Sequence, residues 1–156
     1  MAAVGRARQG ARELIKKHKI VKPPINLDDL IKAEAPGFAV ILDDTFPNHL
    51  SGLTNANFKT IRINSNNPPL RRRFSLAHEL GHIVLNHKGM LFQRIDEEKI
   101  KEELEREADE FAGELLMPIR MFKACYELVP NLDTIAALFE VSRTAAYVRA
   151  MKLRLL

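Results

Sequence analysis

Residues 68–89, PPLRRRFSLAHELGHIVLNHKG, constrain the fold more than any other stretch. Asn66-Asn67-Pro68-Pro69 reads as a helix start, with an asparagine as cap and proline in the first turn. Gly89 is expected to close the helix in the left-handed conformation, after a run through His82 to about His87. Leu76, Leu80, Ile83 and Val84 make one side of this helix apolar, so it should be buried. The same helix carries His78, Glu79 and His82. Burying two histidines and a glutamate side by side without a metal or hydrogen-bond partners is costly. The rest of the chain therefore has to cover the helix and also supply partners for its polar groups.

Residues i and i+4 of a helix share a face, so His78 and His82 can present imidazole nitrogens to one ion at about 2.0–2.1 Å. Glu79 is rotated by about 100° from His78. It does not ligate, but it can reach a water in a vacant fourth position and take its proton. Zinc lowers the pKa of such a water towards about 7, which makes the pairing of metal and carboxylate chemically useful. Gly81 lets a neighbouring element approach closely, a reason to accept the roughly 1 kcal/mol that glycine costs inside a helix.

Two histidines need a third ligand. A histidine six residues beyond His82 would complete a three-histidine site, but that position is Lys88. His87 should point well away from the His82 face and is read as a helix-end residue facing the dipole. A carboxylate is the other common completion. Glu102, Glu103, Glu105 and Glu107 lie on a second amphipathic helix, expected from Asp96 to Pro118. Its apolar stripe is Leu104, Ala108, Phe111, Ala112 and Leu115. Glu105 borders that stripe and has Asp109 one turn later. One such carboxylate can bind the metal while the other accepts the N–H of a ligating histidine and fixes its tautomer.

Upstream, residues 3 to 19 favour helix, Asn26 reads as the cap of a short second helix, and Pro36-Gly37 ends it. Phe38–Leu42 and the alternating Phe58–Asn64 read as strands, with Ser51–Thr54 as a middle or partner strand. Downstream, Asn131 or Asp133 opens a helix and Ser142 caps the last. The net charge is +4, yet residues 96–114 hold ten acids against Lys99, Lys101 and Arg106, about −7, which leaves about +11 elsewhere. Such a run is expected to be a solvated helix face. No segment approaches the roughly 20 apolar residues of a membrane helix. The basic N-terminus lacks a signal-peptide core, and the single Cys125 suits a reducing compartment. A cytoplasmic protein is expected.

The segments Phe74–His82, Glu105–Ala112 and Leu115–Pro118 together resemble the ImmA/IrrE family of zinc metallopeptidases. The likeness continues through Ser51-Gly52, Ile61–Asn64 and Leu138–Ser142, so it covers nearly the whole chain from about residue 11. It implies an α+β, zincin-like fold, with a small mixed or antiparallel sheet of about three strands packed on the active-site helix and a helical C-terminal part. It divides as a peptidase domain, 1–130, and a helix-turn-helix-like pair, 131–156, packed on or appended to it. Counted back from Leu-Leu-Met-Pro, the family's glutamate ligand falls on Glu105. One turn later, where the family commonly has asparagine, this chain has Asp109. The implied set is His78, His82 and Glu105 on Zn2+, with Glu79 as base. The implied substrate is a helix-turn-helix repressor of a mobile element or stress response.

A peptide substrate is expected to add as a strand to a sheet edge near the metal, with Ser51-Gly52-Leu53-Thr54 as the candidate edge and Ser51, Gly52 and Leu53 as its substrate-binding residues. His49, Tyr126 and Arg71 to Arg73 are candidates for stabilising the oxyanion. The competing reading is a DNA-binding or metal-sensing module without peptide turnover. Residues 132–153 resemble a helix-turn-helix, but Arg143 and Thr144 are followed by Ala145, Ala146, Tyr147 and Val148. That is a poor surface for base edges, so nucleic acid is not the expected partner.

Overall fold

The strand Thr60–Asn64 (β3) is the centre of a three-stranded mixed sheet ordered β1-β3-β2. The computed structural model describes residues 2–87 and 97–156. In these, α1 (Ala2–Lys17) and α2 (Leu27–Glu34) precede β1 (Ala39–Asp43), β2 (Gly52–Asn55) and β3. Helices α3 (Pro69–Val84), α4 (Glu97–Leu116), α5 (Ile119–Leu128), α6 (Leu132–Phe139) and α7 (Arg143–Lys152) follow. The class is α+β, with seven helices among the described residues.

The sheet follows from its side-chain pattern. Ile61 and Ile63 of β3 are buried while Thr60 and Arg62 are partly exposed, the period-two alternation of a strand with one covered face. β1 pairs with it in parallel, Val40 opposite Ile61, and β2 in antiparallel, Gly52 opposite Ile63. Ser51–Thr54 is thus an edge, not the middle strand. The hairpin between β2 and β3 turns where expected, with Asn55 Oδ1 accepting from the N–H groups of Asn57 and Phe58 at 3.0 and 3.1 Å.

Three helix starts match the cap signals: Asn26, Asn131 and Ser142 each accept the backbone N–H three residues on, at 3.2, 3.0 and 3.0 Å. The start of α3 differs from expectation. Pro68 itself takes the cap position with no side-chain bond, and Asn66 instead donates to the carbonyl of Asp44 at 3.0 Å. The end of α3 also differs. The regular helix stops at Val84, and Asn86 takes a positive φ of 53°, a conformation asparagine tolerates better than most residues. The expected cap at Gly89 and the helix start at Asp96 lie outside the described residues.

Helix α4 packs against both α1 and α3 and carries the largest share of the core. Phe111, Ala112, Leu115 and Leu116 are fully buried with Ala77 and Leu80 of α3 and with Ile61 and Ile63. The same core extends through Phe122, Ile135, Phe139, Ala146 and Ala150 of the last three helices. The acidic run is solvated on one side, where Glu98, Glu102, Glu105 and Asp109 are exposed, and covered on the other. Glu107, Glu110 and Glu114 meet Arg6, Arg8 and Arg12 of α1 at 3.2, 3.0 and 3.0 Å. From the other side, Arg149 and Lys152 of α7 reach Glu114 and Glu110 at 2.5 Å each. The arginines of α1 are about half exposed, so each of those pairs contributes under about 1 kcal/mol. Arg149 and Glu114 are both buried, and removing one partner of such a pair costs about 3–5 kcal/mol.

Gly81 is where α3 and α4 come closest: a Cβ there would stand 2.9 Å from Cδ1 of Phe111, with Cγ and Cβ of the same residue at 3.2 and 3.3 Å. Gly81→Ala gains up to about 1 kcal/mol in helix propensity and loses about 1–3 kcal/mol by overpacking a filled core. The expected net result is a lowered urea midpoint with an unchanged m-value, measured by circular dichroism.

Candidate metal centre

α3 and α4 bring three metal-competent groups together. Nε2 of His78 lies 3.0 Å from Oε2 of Glu105, and Nε2 of His82 lies 3.1 Å from Oε1 of the same carboxylate. The two Nε2 atoms are 3.1 Å apart. Ligands held tetrahedrally at about 2.0–2.1 Å from one ion stand about 3.3–3.4 Å from one another. The observed triangle is only slightly tighter. His78, Glu79 and His82 themselves offer ligand atoms within 4.8 Å of one another. The smaller triangle is the one closed by Glu105, because Glu79 is turned elsewhere. The donor set therefore fits a divalent cation.

The electrostatics point the same way. Burial acts to lower the pKa of His78, but hydrogen bonds with Asp109 and Glu105 outweigh it and carry the value up to about 10. Hydrogen bonds from His78 and His82 hold Glu105 well below the usual carboxylate range. The cluster demands positive charge at its centre, and without a metal a proton supplies it. The side chains of Glu105 and Asp109 are 51% and 60% exposed, so this side of the site opens to solvent.

Each histidine is held from behind. Nδ1 of His78 lies 2.7 Å from Oδ1 of Asp109, the arrangement expected for a carboxylate that fixes the tautomer of a ligand. His82 is held differently, and here the sequence reading needs correction. His87 is not a solvated residue at the end of α3 but is packed behind His82. It is 3% exposed, with Nδ1 2.7 Å from Nδ1 of His82 and Nε2 2.7 Å from Oε2 of Glu107. The cause is the left-handed Asn86, which bends the chain after Val84 so that helical spacing no longer applies. Burial pushes the His87 pKa down, favouring the neutral ring. Glu107 is buried beside it and turned away from the triangle.

Glu79 is 6% exposed and faces β2, where its Oε2 accepts a hydrogen bond from Oγ1 of Thr54 at 2.6 Å. Gly52 makes room for it: a Cβ there would lie 3.0 Å from Oε1 and 3.1 Å from Cγ of Glu79. Of the candidate edge residues, Gly52 touches Glu79, while Ser51 accepts from Asn64 N at 2.9 Å through its carbonyl. Leu53 is opposite Arg62 on the other face of the sheet. Thr54 is part of the candidate edge, and period two places it on the same face as Gly52, but its bond to Glu79 has no signal in the sequence. His87 and Glu107 were missed as partners because nothing in the spacing signals the turn at Asn86.

A helix-borne His-Glu-His group closed by a carboxylate from a neighbouring helix, beside a small mixed sheet, defines the metallopeptidase class of site. The model of the IrrE N-terminal-like domain, Peptidase_M78, matches residues 33–151, and the chain belongs to that family. Among solved structures, a Mycobacterium tuberculosis transcriptional regulator shares the fold with a TM-score of 0.70 at 19% identity. The match covers 91% of this chain and 45% of that one, so the chain spans less than half of that protein's length. A search of curated proteins found no match.

Two outcomes follow from the geometry. Glu105→Ala should abolish stoichiometric zinc binding, measured by titration against a chelating dye, while Glu102→Ala on the exposed side of α4 should not. His78 keeps its proton up to about pH 10 in the metal-free protein, and that proton must leave before Nε2 can ligate. Zinc affinity should thus rise with pH from 6 to 8, by roughly tenfold per unit for the one proton. Calorimetry in two buffers of different ionisation enthalpy would show the release.

Proposed function

We propose that this chain is a zinc-dependent peptidase of the cell interior that cleaves a helix-turn-helix transcriptional repressor at a specific bond. The observation that carries the reading is the triangle of His78, His82 and Glu105 at 3.0–3.1 Å with Glu79 beside it, in a chain of a metallopeptidase family. Two imidazoles and one carboxylate suit zinc better than the harder magnesium or calcium. When bound, zinc acts as a Lewis acid that polarises a carbonyl and makes water acidic enough to lose a proton near neutral pH.

The residues of the chain supply the rest. Glu79 takes the proton of the attacking water and delivers it to the leaving amide nitrogen. Thr54 holds the carboxylate in place by its 2.6 Å hydrogen bond. Asp109 and His87 orient the two imidazoles from behind. The peptide pairs with the edge of β2. Because the Ser51 carbonyl accepts from Asn64 N, antiparallel alternation turns the N–H and C=O groups of Gly52 and Thr54 away from β3, towards the open side of the strand. Substrate recognition thus shifts from Ser51, Gly52 and Leu53 to the main chain of Gly52 and Thr54. Of the candidates for the oxyanion, Arg73 is occupied by the carbonyl of Ile25 at 2.7 Å. Arg71 lies beside the edge, donating to Oγ of Ser51 at 3.2 Å.

Residues 131–156 serve this peptidase as a packed helical pair, not as a DNA reader. Arg149 is buried on Glu114 and on the carbonyl of Met117, Lys152 is paired with Glu110, and Arg143 meets Asp133 at 2.7 Å. These cations are engaged within the chain, which leaves α7 little to offer a phosphate backbone. The likeness to a protein named as a transcriptional regulator fits a repressor-related role but concerns the fold alone. No helix among the described residues is long and apolar enough to cross a membrane.

Glu79→Gln should keep zinc and partner binding while lowering the cleavage rate by about 10²–10⁴-fold, the usual contribution of a general base. The assay is co-expression with a helix-turn-helix repressor encoded beside this chain, followed by mass spectrometry. A discrete fragment should appear that is lost on chelation and in the variant. Undiminished cleavage by Glu79→Gln would sink the mechanism.

A further inference from the structure

The two histidines of the triangle are oriented by different devices, and the second reaches far from the site. We propose that Glu107 and His87 are positioning residues that set the proton of His82 on Nδ1, and that Arg6 of α1 completes this relay. The inference rests on the reading that His78, His82 and Glu105 hold a metal.

The proton count follows from the contacts. Only one proton fits between Nδ1 of His82 and Nδ1 of His87 at 2.7 Å. Nε2 of His87 lies 2.7 Å from Oε2 of Glu107, a carboxylate that accepts and does not donate when ionised. When Nε2 of His82, the atom 3.1 Å from both Nε2 of His78 and Oε1 of Glu105, gives its lone pair to a metal, the ring's own proton is on Nδ1. That proton fills the contact with His87, so Nδ1 of His87 accepts and the proton of His87 is on Nε2, facing Glu107. Were the relay reversed, a hydrogen would point into the triangle and ligation would fail.

Glu107 is aimed by its own neighbour. Nη2 of Arg6 lies 3.2 Å from the same Oε2 that accepts from His87. Arg8 and Arg12 fix the register of α1 on α4 through Glu110 and Glu114 at 3.0 Å each. The N-terminal helix, which lies before the segment matched by the family, thus reaches the metal site through four side chains: Arg6, Glu107, His87 and His82. Docking of α1 and orientation of His82 are one structural event.

The test uses the full chain, zinc and the isosteric variant Glu107→Gln, whose amide can donate to Nε2 of His87 and reverse the relay. Zinc affinity is measured by competition with a chelating dye, and imidazole tautomers by long-range proton–nitrogen correlation on the zinc-loaded wild type. The expected result is His82 protonated on Nδ1, His87 protonated on Nε2, and zinc binding about 10–100-fold weaker in the variant. Glu102→Gln should match wild type, and Arg6→Gln should give a smaller loss in the same direction. Zinc binding by Glu107→Gln within about twofold of wild type, or a wild-type His87 protonated on Nδ1, overturns the proposal. Should the variant fail to fold, the wild-type tautomers decide alone. A wild type that binds no zinc removes the metal reading as well, whereas tight wild-type binding with an unaffected variant removes only the relay.

Discussion

The site depends on holding three electron-rich groups face to face. Nε2 of His78, Nε2 of His82 and the Glu105 carboxylate come from two helices and meet at 3.0–3.1 Å. Such atoms repel or compete for a proton unless a cation lies among them, and the raised pKa of His78 expresses that demand. The cluster survives because the helices that carry it cannot drift apart. Phe111 of α4 is packed against the bare backbone of Gly81, one residue before His82 and two after Glu79. Close packing thus sets the distance, and electrostatics selects what occupies the centre.

Helix α4 is the hub of the charge distribution. One side turns Glu105 and Asp109 towards α3, and the others turn Glu107, Glu110 and Glu114 towards the cations of α1 and α7. Part of the segregation of acids and bases along the chain is therefore resolved inside the fold, at Glu107, Glu110 and Glu114. Ion pairs of this kind add little stability where they are exposed. Their directional contacts fix register, and here register decides whether Glu107 faces His87.

The half of the candidate site carried by α3 is legible because it is local. His78, Glu79 and His82 lie within five residues of one regular helix, where 3.6-residue periodicity dictates their relative directions. Glu105 and Asp109 were legible for the same reason, one turn apart on the border of an apolar stripe, and the motif resemblance selected Glu105 from its neighbours. Thr54 shares a face of β2 with Gly52 by alternation, but its bond to Glu79 has no signal in the sequence. His87 was read from a helix that the chain does not continue. The turn at Asn86 depends on where α3 stops, and that is settled by the core beneath it.

The sequence by itself thus determined the periodic features: one face of α3 with its two imidazoles and base, the acid pair on α4, the caps at Asn26, Asn131 and Ser142, and an alternating β3. Only the tertiary structure decided that β2 is an edge strand against Glu79. It also decided that the acidic run faces arginines, and that His87 and Glu107 stand behind His82. Local geometry follows from bond rotations and helical period, which the residue order specifies directly. Apart from His82 with His87, which follows the turn at Asn86, the other contacts join residues 20 to 101 positions apart. They exist only once Phe111, Leu80 and Ile61 have packed and set the helices and the sheet at fixed distances.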